Sequence, residues 1–128
     1  VVGTLVAMHL SRTLSKHVTR FVGLQETSES VERLEKVCPA LVQEVVPNQR
    51  IVLQWEADGI ADTWTTVTME FQGLEDGRTM VRISEFGWPE TEAGLSSSFG
   101  NCQGWTGMLC AMKAWLEHGI NLRDGFYK

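Results

Sequence analysis

The sequence predicts an α+β domain in which an antiparallel sheet packs on one long C-terminal helix. Two observations carry that class. From Leu41 to Phe86 apolar and polar residues alternate in short runs separated by turn pairs, and from about Asn101 the apolar period lengthens to that of a helix. A third bounds it, because 128 residues can bury one sizeable core but cannot support two independent ones.

The first forty residues carry the weakest patterns. The opening VVGTLVAMHL is apolar, yet it has no basic flank and no small-residue cleavage site. It also falls far short of the roughly 20 residues of a membrane span, so neither a targeting segment nor a span is expected. His17 to Gln25 reads as a strand. Ser28 followed by Val31, Leu34 and Val37 on one side reads as a short helix running to Cys38 and closed by Pro39.

The strands that follow are clearer. LVQEVV, Leu41 to Val46, stops at the turn pair Pro47-Asn48. In Arg50 to Glu56, Ile51, Leu53 and Trp55 point one way while Arg50, Gln54 and Glu56 point the other. After Ala57-Asp58-Gly59, the run Trp64 to Gln72 puts Thr65, Val67, Met69 and Phe71 on one face and Thr66, Thr68 and Glu70 on the other, and its threonines favour a strand. Asp76-Gly77 signals a tight turn into Thr79 to Phe86, where Val81 and Ile83 oppose Arg82 and Ser84. Gly87-Trp88-Pro89 ends that strand, and the stretch to Ser98 reads as a polar loop.

Trp105, Met108, Leu109, Met112, Trp115 and Leu116 then fall on one helical stripe. Ser98 or Asn101 suits its N-cap, and Gly119 after His118 suits its C-terminal cap. Six large side chains, each contributing roughly 1.5 to 3 kcal/mol when buried, make this helix a principal part of the core. Loss of Trp105 or Trp115 is expected to be severely destabilising. Gly100, Gly104 and Gly107 are read as allowing close packing of the helix on the sheet.

Charge and chemistry narrow the function. A formal net charge of -5, from 11 basic and 16 acidic residues with no basic stripe, makes nucleic acid and anionic membrane poor partners. Cys38, Cys102 and Cys110 form no CxxC pair and suit a reducing, cytoplasmic setting. Cys102 and Cys110 on one helix would lie about 12 Å apart along its axis, beyond disulfide reach, so core packing is their expected role. His9, His17 and His118 lack zinc-ligand spacing, and there is no nucleophile elbow, phosphate loop or dinucleotide fingerprint, so no metal and no cofactor is expected.

The segments EVVPNQRIVLQW, TMVRISEFGWP and GWTGMLCAMKAWLEHGINLR, in that order, resemble the activator-of-heat-shock-protein-ATPase-homologue-like branch of the START-like, or SRPBCC, superfamily, to which the birch-pollen-allergen-like proteins belong. The resemblance covers Leu41 to about Arg123 of a single domain spanning 1–128. It implies a helix-grip fold, in which a curved antiparallel sheet wraps the C-terminal helix and leaves a cavity between them. Family members usually carry more strand and helix before the proline turn than residues 1–40 supply, and the tryptophan-containing segment that usually follows their first helix is not recognisable here. The domain is therefore expected to be shortened or divergent at its N-terminus, and a shortened sheet with open edges favours a homodimer or strand exchange.

That fold points first to binding of a small hydrophobic or amphipathic molecule without catalysis. The expected lining is Trp55, Trp64, Met69, Phe71, Ile83, Glu85, Trp88, Trp105, Met108, Leu109 and Met112, with indole N–H groups available to a polar ligand group. Two alternatives stand beside it: a co-chaperone-like interaction module contacting a chaperone, and a cavity enzyme of cyclase or hydrolase type. Glu85 is the one catalytic candidate, since strict alternation turns it inward with Val81 and Ile83. The preferred reading is that the strand has ended by then, which leaves Glu85 at a solvent-facing mouth.

Overall fold

The computed structural model describes residues 2–10, 40–57 and 59–124. The strand expected at His17 to Gln25 and the helix expected at Thr27 to Cys38 lie outside them. The elements run β1 (Val2–Leu10), β2 (Ala40–Val46), β3 (Arg50–Glu56), β4 (Trp64–Gly73), β5 (Thr79–Trp88) and α1 (Glu92–His118). The strands form one antiparallel sheet in the order β1-β5-β4-β3-β2, so consecutive hairpins build β2 to β5 and β1 closes the far side against β5. This is the helix-grip arrangement that the family resemblance implies, and it agrees with the strand and helix periods.

Each hairpin is made by the turn chemistry its residues supply. At β2–β3, Asn48 adopts a positive φ of 61° and Gln49 N–H donates to Val46 O at 3.0 Å. At β4–β5, the Asp76 carboxylate accepts from the Arg78 backbone N–H at 3.0 Å, and Leu74 N–H donates to Arg78 O at 2.8 Å. β5 outruns its expected end by two residues because Gly87 bulges, with φ 107°, and Trp88 still pairs with Val2 before Pro89 stops the ladder. The opening apolar run, read only as lacking a targeting signal, is the strand β1.

Alternation holds along β4 and β5, and along β3 except at Val52, which is buried although its parity is that of Gln54. Ile51, Leu53, Val67, Met69, Val81 and Ile83 are buried on one face, and Leu109 and Met112 of α1 pack against them. The opposite face carries the Gln43–Gln54–Thr66 hydrogen-bond ladder and the Arg50–Glu44 and Arg82–Glu70 ion pairs. These pairs are about half exposed, where such contacts contribute little.

The helix departs from expectation in three ways. It begins at Glu92, not near Asn101, and its N-cap is Thr91, whose Oγ1 accepts from Gly94 N–H at 3.1 Å; the stretch read as a polar loop is its first two turns. Gly100, Gly104 and Gly107 have no close neighbour among the described residues, for a Cβ at each would meet open space there. The glycine that permits close approach is Gly94, where a Cβ would collide with the Pro89 carbonyl and ring. Trp115 is 54% exposed and so is no core residue, and Cys110 is exposed while Cys102 is half-buried. The expected C-terminal cap is correct: Gly119, at φ 68°, donates to Trp115 O and Ile120 N–H reaches Ala114 O.

Two alanine substitutions on α1 separate these roles. Leu109→Ala, at a wholly buried site, is expected to cost about 2–5 kcal/mol in urea unfolding, and Trp115→Ala less than about half as much. Equal losses would return Trp115 to the core.

Candidate functional site

The sequence places one carboxylate on the apolar face, and the geometry of the seam between sheet and helix is set by how that group is accommodated. Glu85 is wholly buried. The expectation of a solvent-facing mouth is therefore overturned, because β5 continues past Glu85 and α1 begins early enough to cover it.

Four side chains from three elements donate to it. Oε1 accepts from Trp55 Nε1 on β3 at 2.9 Å, from Thr65 Oγ1 on β4 at 2.6 Å and from Asn101 Nδ2 on α1 at 3.1 Å. Oε2 accepts from Trp105 Nε1 at 2.8 Å and from the same Asn101 amide at 3.1 Å. Among the described residues all partners are neutral donors, and five hydrogen bonds exceed the roughly four lone-pair sites of a carboxylate, so both oxygens are fully engaged. Trp55 and Trp105 also stack, with ring centroids 5.3 Å apart and planes inclined by 10°.

Sheet register explains the convergence. Trp55 stands directly opposite Thr65, and Glu85 stands opposite Val67, two residues along the same face of β4. Asn101 and Trp105 are one helical turn apart on α1, so a single helix face brings both over the carboxylate. Chemically this is a polar clip joining β3, β4, β5 and α1. A group sealed from solvent with both oxygens taken is not presented as a general acid or base.

Of the expected lining residues, Met69, Ile83, Leu109 and Met112 are core, while Trp55, Phe71, Trp105 and Met108 are partly buried against that core. Trp88 is 3% exposed, and its Nε1 has no hydrogen-bond partner among the described residues. Trp64 does not join them: its parity is that of Thr66, and it stands 44% exposed on the other face. Thr65 and Asn101 were missed as site residues. Thr65 had a signal, a lone hydroxyl on a face otherwise occupied by Val67, Met69 and Phe71.

A separate cleft of about 270 Å³ lies among Arg50, Glu70, Gln72, Met80 and Arg82, at one end of the face turned away from α1. Its two guanidiniums are matched by Glu44 and Glu70.

The family described as Activator of Hsp90 ATPase homolog 1-like protein matches residues 19–117. The chain belongs to this family. No curated protein matches. Among solved structures, the Aha1 dimer from Colwellia psychrerythraea has a TM-score of 0.66 at 17% identity, covering 93% of this chain and 98% of that one. A protein from Staphylococcus saprophyticus has a TM-score of 0.65 at 18% identity, covering 94% and 96%. DynU16, from the dynemicin biosynthetic locus, has a TM-score of 0.67 at 13% identity, covering 93% of this chain and 48% of that one. These likenesses show the fold, and the match to the Activator of Hsp90 ATPase homolog 1-like family begins earlier in the chain than Leu41, where the motif resemblance starts. No helix among the described residues is long and apolar enough to cross a membrane.

The clip makes a direct prediction. Glu85→Gln keeps the shape but turns one acceptor into a donor, leaving a buried N–H or O–H without a partner. Urea unfolding followed by tryptophan fluorescence should show a loss of about 2–4 kcal/mol. A variant as stable as the parent would mean that the carboxylate does not organise the seam.

Proposed function

We propose that this chain binds a small hydrophobic or amphipathic molecule between the sheet and α1. The observation that carries the reading is a band of large apolar side chains, Trp55, Phe71, Trp105, Met108 and Leu116, packed against the core yet only partly buried. A seam closed for stability alone would bury such side chains fully, since each contributes in proportion to the area removed from water. Met108 adds an unbranched, polarisable side chain that adapts to ligand shape. Family membership supports the same reading, since the resemblance implies a cavity between sheet and helix.

Titration with the neutral fluorophore N-phenyl-1-naphthylamine tests it. Met108→Gln should weaken binding by about tenfold while the far-UV spectrum is kept. Unchanged affinity in the variant would remove the seam as the site.

A second observation favours assembly of two copies. β2 is an edge of the sheet among the described residues, and Leu41, Val42 and Val45 along it are each about half exposed. The Colwellia psychrerythraea relative is described as a dimer, and an exposed apolar edge strand in this chain suits pairing with its own copy. Light scattering should give a dimer mass that falls to that of the monomer in Val42→Lys. A monomer mass for the unaltered protein at concentrations up to about 1 mM would exclude this assembly.

A further inference from the structure

Polar groups in the seam are almost all accounted for. Trp55, Thr65, Asn101 and Trp105 donate to Glu85, and the buried Ser98 donates to Leu95 O. The exception is Trp88 Nε1, the one buried side-chain nitrogen or oxygen without a hydrogen-bond partner among the described residues. A buried donor left unsatisfied carries a desolvation cost, and native structures rarely keep one without cause.

The chain takes a specific detour to place this indole inside. Along β5 Glu85 points inward, and Phe86, 49% exposed, points outward. Unbroken alternation would then send Trp88 outward as well. Instead Gly3 pairs with Phe86 and the adjacent Val2 pairs with Trp88, so Gly87 is the extra residue of a bulge and Trp88 returns to the face of Glu85. Only glycine suits that bulge. Its φ is 107°, and a Cβ there would lie 2.8 Å from the Trp64 carbonyl oxygen.

We infer that Trp88 Nε1–H is the polar anchor for a ligand held in the seam, and that the ligand is an uncharged apolar molecule carrying a carbonyl or hydroxyl oxygen. The inference rests on the ligand-binding reading above and names its chemistry. The oxygen is required by the donor, which an indole N–H cannot exchange for an acceptor role. The absence of charge follows from Glu85: its carboxylate lies on the same face, wholly buried, with only neutral partners. A second anion brought into that seam would meet it at low dielectric with no cation among the clip residues to offset the repulsion.

The test uses the full chain labelled with ¹⁵N and two probes of equal carbon number, methyl octyl ketone and decanoate. The Trp88 indole N–H signal is identified by its loss in Trp88→Phe, which keeps an aromatic ring in the core. The expected result is that the ketone binds more tightly than decanoate and moves the Trp88 indole proton downfield. Trp88→Phe should weaken the ketone by about fivefold. If the ketone binds but leaves that signal in place, or binds the variant equally well, the anchor is overturned while ligand binding stands. A persistent exchange peak between this N–H and water in the ketone complex also overturns the anchor, and tighter binding of decanoate overturns the uncharged class. If neither probe binds, the ligand-binding reading fails and this inference with it.

Discussion

A carboxylate removed from water has to be solvated by the protein, and among the described residues of this domain that requirement falls on four neutral side chains. Trp55, Thr65, Asn101 and Trp105 supply Glu85 with five hydrogen bonds, and they reach it from β3, β4 and α1. The apolar contacts around Leu109 and Met112 attract without direction, so they would tolerate a helix displaced along its own axis. The clip would not. A slide of one turn, about 5.4 Å, would carry both Asn101 and Trp105 away from the carboxylate and strip Oε2 of its two donors. Hydrophobic burial thus draws the helix onto the sheet, and Glu85 fixes where it stops.

What could be read in the sequence follows from which signals are local. Period-two patterns in Arg50 to Glu56, Trp64 to Gln72 and Thr79 to Phe86 name the core face correctly because parity needs no partner strand. The C-terminal half of α1 is equally legible from Leu109, Met112 and Leu116. Its N-terminal half is hidden by composition: Gly94, Ser96, Ser97, Ser98 and Gly100 are weak helix formers, and Leu95 and Phe99 face solvent, so no apolar stripe advertises the helix. Trp115 illustrates the opposite failure. Periodicity reports an angular position, and Trp115 falls at the margin of the stripe, where angle alone does not decide burial.

The candidate site was legible as a face and illegible as a network. Alternation points Glu85 inward, yet a carboxylate in an apolar setting argues for solvent unless its donors are known. Those donors sit 16 to 30 residues away in sequence. Thr65 and Asn101 acquire their meaning only once register and helix docking bring them within reach. The family resemblance supplied the architecture that joins them, but not the bonds.

The placement of β1 has a consequence for how the chain reaches this structure. Its partner is β5, and even the nearest pair, Leu10 with Thr79, is separated by about 70 residues of chain. The strands β2 to β5 are joined by short turns and can zip up from local contacts, whereas β1 leaves the ribosome long before the surface it pairs with has been made. Of the described strands, the one that emerges earliest is thus the last to find its neighbour.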